Sequence, residues 1–271
     1  MDALARLLAD VGLDIDRALL LGALGAGRVL PVFLLAPFFG GRLVPLAIRA
    51  ALAFAFVALL YPALDAGAPA ALALGPMQLA ALVAKELAIG TMLAFLVSLP
   101  FFAAEAAGRL IDTVRGANLA EVIVPQTGAP SSPLGDLGLQ LAVIVFFALD
   151  GHLIFLRSLA LSYDAVPLLA FPGADVAPVA ATLAMEASGR LLIAAVGLAA
   201  PVVAALFLAE LALGLLSRAA PQLQLHAIGM PLKSIAAILV LFASFGAMVT
   251  ALGSVVGGGL TDVVRALSLW R

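Results

Sequence analysis

Polar chemistry in this 271-residue chain rests on few residues: 14 Lys or Arg, 16 Asp or Glu, two His and no Cys. Disulfides, thiol catalysis and Cys-ligated metals are therefore excluded. The densest group is Glu105, Arg109, Asp112 and Arg115, which alternate in sign at spacings of four, three and three. On a helix this spacing sets each side chain beside the next, so the four are expected to form one neutral polar ladder. A neutral ladder tolerates a low dielectric better than a lone charge does. It leads into a stretch from 115 to 133 that is rich in Gly, Pro, Ser and Thr. The pattern suits a rigid helix that positions a loop, or a solvated helix end.

Lys85 and Glu86 lie in an otherwise apolar stretch. A charge at mid-bilayer costs about 2.5–3.5 kcal/mol on translocon scales. Adjacent residues on a helix point in different directions, so these two are not expected to pair with each other. Each should find a partner on another helix or subunit, unless both snorkel to an interface. Asp150, Gly151 and His152 place a carboxylate near an imidazole. That pair suits a proton relay, or the more ordinary tasks of capping a helix or binding a neighbouring chain. Glu186 and Arg190, four apart, read as a supporting pair, and Glu210 has no local partner. The chain contains no HExxH, no GxSxG elbow and no Walker-type glycine loop. No catalytic residue, metal site or cofactor is expected.

The elements that hold these charges are apolar. Hydrophobic residues make up 65% of the chain and charged residues 11%, against about 45–50% and 25% in soluble domains. A soluble fold of this size cannot hide so much apolar surface, so lipid or a protein assembly must cover it. The net charge of −2 and the lack of a basic run give no footing for nucleic acid. Asp2, Asp10, Asp14 and Asp16 interrupt the stretch from Met1 to Arg17, which is unlike a cleavable signal. Leu4, Leu7, Leu8 and Val11 at helical spacing predict a short amphipathic helix there.

Six segments are long and apolar enough to span a bilayer: about 18–40, 43–61, 77–102, 137–156, 191–216 and 231–252. The fold class is therefore all-α, of membrane type: about six long hydrophobic helices in hairpins, bent at Pro and Gly. The first segment contains Arg28, Pro31 and Pro37 and is expected to be kinked or broken. Basic residues at 42, 49, 109, 115, 218 and 233 favour one set of connections, and a six-span topology puts both termini outside. Gly253 and Gly257 form a weak small-xxx-small pair suited to close helix packing.

Several motifs, in order, carry a resemblance. KELAIG at 85–90, LPFFAAEAAGRLIDTVRGAN at 99–118, PQTGAPSSPLG at 125–135, DGH at 150–152, SYDAVP at 162–167 and APQLQLHAIGMPLK at 220–233 resemble the FliR/SctT family of type III secretion export apparatus subunits. The resemblance runs from Arg28 to about Leu252, and the 99–118 motif looks more like the injectisome SctT branch than the flagellar FliR branch. It implies a hetero-oligomeric export gate built with SctR/FliP-like and SctS/FliQ-like subunits, joined by an SctU/FlhB-like subunit. That core sits in the bacterial inner membrane, partly on the periplasmic side, and passes unfolded secreted proteins. It implies two parts, 1–164 SctR-like and 165–271 an SctS-like helical hairpin. It also implies a pore plug loop comprising Gly116, Ala117, Asn118, Pro125, Gly128 and Pro130. The charges at Lys85, Glu86, Glu105, Arg109, Asp112, Arg115, Asp150 and His152 are the structural or gating candidates beside it. The competing reading is a secondary transporter of a small solute. Such transporters show internal repeats of matching hydrophobic segments, which this chain lacks.

Overall fold

The computed structural model describes residues 15–41, 44–67, 75–116, 132–173, 176–219 and 225–270. The expected N-terminal amphipathic helix and the loop residues Ala117, Asn118, Pro125, Gly128 and Pro130 lie outside them. The described residues are helical, as the composition requires: α1 (Ile15–Leu35), a 3-10 turn (Pro37–Phe39), α2 (Leu46–Ala66), α3 (Pro76–Arg115), α4 (Pro133–Ala148), α5 (Gly151–Ala165), α6 (Val176–Ala219) and α7 (Leu225–Leu269). Five of these helices are long and apolar enough to cross a membrane, or six if α4 and α5 count as one broken span.

Three helices outrun the hydrophobic segments that announce them. With a rise of 1.5 Å per residue, the 40, 44 and 45 residues of α3, α6 and α7 follow paths of about 60, 66 and 68 Å, roughly twice a hydrocarbon core. Hydropathy marks only the uncharged stretch, whereas helix formation continues through polar turns such as Glu186–Arg190. The first segment breaks, but not at Pro31. The helix α1 runs through Pro31 and stops at Leu35. Ala36 is extended before Pro37, and Gly40 takes a left-handed φ of 95°, as pre-proline sterics and glycine allow. The fourth segment is two helices, separated at Leu149–Asp150.

The chain forms two compact units, each assembled from segments distant in sequence and from both sides of residue 164. The first comprises the described residues up to Ser98, then His152–Met185 and those from Gly259. Its core holds Leu21, Leu24, Leu93, Leu96, Phe155 and Leu159, all fully buried. The second comprises Leu99–Gly151 and Glu186–Gly258, around Phe101, Phe146, Leu206 and Leu252. There the Phe101 and Phe146 rings meet edge-on at 5.3 Å.

Glycines fix the closest approaches. A Cβ on Gly90 would run into the backbone of Arg28, one on Gly108 into the Leu134 carbonyl, and one on Gly138 into the Ala104 carbonyl. So α3 lies backbone-to-backbone against α1 in the first unit and against α4 in the second. The Gly253/Gly257 pair is not such a place: the nearest atom to a Cβ on Gly253 is a Leu149 methyl at 3.9 Å, and a Cβ on Gly257 would meet nothing.

Candidate functional site

Buried charged side chains collect at one place in each unit. In the first, Arg28 of α1 is fully buried, and Glu86 of α3 is buried with it. Burial of this kind is tolerated only when the groups are paired and hydrogen-bonded. Arg28 meets the requirement with all five N–H donors. Its Nε and Nη2 grip the Glu86 carboxylate at 2.6 and 3.0 Å. Its Nη1 donates to the Ser162 carbonyl and hydroxyl at 2.5 and 3.0 Å, and Nη2 also donates to the Val166 carbonyl at 2.7 Å. The Tyr163 ring covers the guanidinium at 4.2 Å and its hydroxyl donates to the Gly25 carbonyl at 2.8 Å.

Lys85 completes the group. Its ammonium donates to the carbonyls of Pro167, Leu168 and Ala170 at 2.8–2.9 Å and lies 2.7 Å from Glu86 Oε1. The expectation that Lys85 and Glu86 do not pair is overturned. Their Cβ vectors diverge, but the four-carbon lysine stem bends back, and Glu86 is shared between two cations. Two cations and one anion leave a net positive charge. The carbonyls at and after the C-terminal end of α5, the negative end of a helix, supply the balance. The cluster thus fastens α1 and α3 to the end of α5.

In the second unit the charges sit where α3 ends and α4 begins. Asp112, fully buried, accepts from the Ser132 hydroxyl at 2.6 Å and from the Leu134 backbone N–H at 3.0 Å, both through Oδ2. Ser132 is the N-cap of α4: its side chain also accepts from Gly135 N–H, and Pro133 follows at N1, where its missing donor costs nothing. Arg115 lies 2.8 Å from Asp112 Oδ1, an ion pair without hydrogen-bond alignment. Gly116, at φ 87°, closes the helix in the left-handed conformation that favours glycine. One carboxylate therefore ties the end of α3 to the start of α4.

The four-residue ladder resolves into two pairs, Glu105–Arg109 at 2.6 Å and Asp112–Arg115. Among the described residues no ion pair joins Arg109 to Asp112, because the start of α4 takes Asp112's second oxygen. Asp150 is exposed, with φ 52°, in the turn before α5, and His152 stands in the first turn of α5. Glu186 and Arg190 are 3.9 Å apart. Glu210, which has no local partner in the sequence, pairs with Lys233 of α7 at 2.9 Å, a contact between two helices that no local spacing reveals. Arg28 is the member of the first cluster that spacing alone does not place there. Its signal is a lone cation in an apolar segment, opposite in sign to Glu86.

The Ser132 hydroxyl beside the Asp112 carboxylate is engaged as a helix cap, and the described residues hold no metal-binding group of His, Asp or Glu. The arrangement can fasten helices and pin a loop.

The profile of the family described as bacterial export proteins, family 1, matches residues 19–258. The chain is 37% identical over 161 residues to surface presentation of antigens protein SpaR of Shigella sonnei, covering 59% of this chain and 61% of that protein. It is 39% identical over 160 residues to Yop proteins translocation protein T of Yersinia pestis, with the same coverage of 59% and 61%. It is 32% identical over 207 residues to flagellar biosynthetic protein FliR of Bacillus subtilis, covering 76% and 78%. The aligned stretch thus spans about three fifths of the length of the first two relatives.

Proposed function

The chain belongs to the bacterial export proteins, family 1, and from that premise we propose that it is a core subunit of a type III secretion export gate in the bacterial inner membrane. Higher identity to SpaR and to the Yersinia translocation protein than to FliR favours an injectisome over a flagellum. The chain catalyses nothing itself. It lines a protein-conducting passage with SctR/FliP-like and SctS/FliQ-like subunits, beside an SctU/FlhB-like one, and unfolded proteins pass through. Partner surface is available in quantity: Phe242 is 83% and Ile193 75% exposed, and such apolar area needs lipid or neighbouring helices.

The observation that carries the gating role is Asp112. A buried carboxylate that ties the end of α3 to the start of α4 gives the segment 117–131 a fixed base. On this reading that segment plugs the passage at rest and swings aside for substrate while its base stays put. The test is to delete residues 118–130 in the co-expressed complex, keeping Asp112 and Ser132, and to measure ion conductance in bilayers. A raised resting conductance is expected. Unchanged conductance in an intact complex would end the plug assignment.

A further inference from the structure

A cleft of about 470 Å³ in the first unit is lined by Leu60, Ala63 and Leu64 of α2 and by Arg157, Leu161 and Asp164 of α5. Its volume falls in the range of small-molecule sites, about 300–1,000 Å³. Arg157 and Asp164 are two helical turns apart with Leu161 between, so they share one stripe of the helix, about 10 Å from each other along the axis. Both are exposed, and among the described residues neither takes part in an ion pair. Other charges nearby do not answer them. Arg28 and Lys85 are spent on Glu86 and on the carbonyls of 162–170. That leaves the Asp164 carboxylate as the outward anion at the negative end of α5.

Two opposite charges that are too far apart to satisfy each other, on an apolar wall in a membrane protein, call for a ligand carrying the complementary pair. We propose that the cleft binds one zwitterionic phospholipid, a phosphatidylethanolamine. Its phosphate sits on Arg157, its ammonium on Asp164, and the start of its acyl chains lies against Leu60, Leu64 and Leu161. Arginine suits a phosphate because its planar fork donates two parallel hydrogen bonds. An anionic lipid would satisfy Arg157 but set like charge against Asp164, so the pair also confers selectivity. This rests only on the placement of the chain in a membrane, not on the gate or the plug.

The test is lipid mass spectrometry on the complex purified in mild detergent and washed to constant lipid content. About one phosphatidylethanolamine per copy of this chain is expected to survive. Arg157→Gln should lower its retention about tenfold, the effect of losing one charge-assisted contact. Asp164→Asn should shift retention from phosphatidylethanolamine to phosphatidylglycerol, and Arg190→Gln should change neither. Because the chain has no cysteine, Leu161→Cys supplies a single thiol in the cleft. Retention unchanged in both cleft variants overturns the proposal, and so does bifunctional crosslinking of that thiol to another protein chain, which would make the cleft a protein interface.

Discussion

The Arg28–Glu86–Lys85 cluster and the Asp112 base use the same materials for different ends. In the first, three charges are buried with nearly every donor used, and the groups they hold include backbone carbonyls far away along the chain. In the second, one buried carboxylate at the end of α3 accepts from a hydroxyl and a single N–H at the start of α4. The members beside it, Glu105 and Arg109, are partly exposed. The first arrangement cannot loosen without stranding charge in a dry interior. The second can lose its outer members and still hold. The first fastening is built from several buried charges held in a network, and the second from one well-placed acceptor.

The largest expected effect breaks the first region. Glu86→Gln removes the cluster's only anion and leaves Arg28 and Lys85 facing each other, with nothing but dipoles between them. Removing one partner of a buried pair costs about 3–5 kcal/mol. The variant should unfold at markedly lower temperature in detergent and accumulate poorly in the complex. Arg28→Met should be milder, because Lys85 then neutralises Glu86 at 2.7 Å. If Arg28→Met proved the worse of the two, the guanidinium's five hydrogen bonds, rather than the charge balance, would be holding the unit together.

The second region should respond in function before stability. Asp112→Ala strands the Ser132 hydroxyl and the Leu134 N–H, a loss of about 1–3 kcal/mol confined to the loop base. Resting conductance of the complex should rise while its thermal stability drops less than in Glu86→Gln. Asp112→Asn keeps an acceptor for α4 and gives up only the Arg115 charge, so its leak should be smaller. Equal leak from Glu86→Gln and Asp112→Ala at matched stability would erase the distinction between the two regions.

Much of this was legible without coordinates, but unevenly. The helical class, the number of long apolar segments and the expense of Lys85 and Glu86 follow from composition and hydropathy. The partners of Glu86 and Arg28 do not, because Arg28, Glu86 and Ser162 lie on three different helices far apart along the chain, and a local spacing rule sees only three or four positions. Spacing also misjudges Lys85 and its own neighbour, because Cβ direction stands in for the reach of a long, flexible stem. The ladder holds for two of its three rungs. The middle one fails because Asp112 has a competing use in the unpaired N–H groups of a helix start, and a helical-wheel argument contains no such competitor. Hydropathy understates α6 and α7 because it measures what a membrane would accept, not where backbone hydrogen bonding stops.

The smallest effect sharpens the comparison from the other side. Arg109 sits one turn after Glu105 on α3, with its side chain 48% exposed, and pairs with it at 2.6 Å. An exposed pair of this kind contributes about 0.2–1 kcal/mol. Arg109 nevertheless packs its stem against the start of α4, where a Cβ on Gly135 would meet its Cγ at 2.9 Å. The two contributions separate by substitution. Arg109→Met keeps the stem and drops the charge, and should cost no more than about 1 kcal/mol and leave resting conductance unchanged. Arg109→Ala removes both and should raise conductance slightly if the stem braces the clamp. A leak as large in Arg109→Met as in Asp112→Ala would mean that the base is held by the summed charge of the ladder, and that the single carboxylate is not its centre.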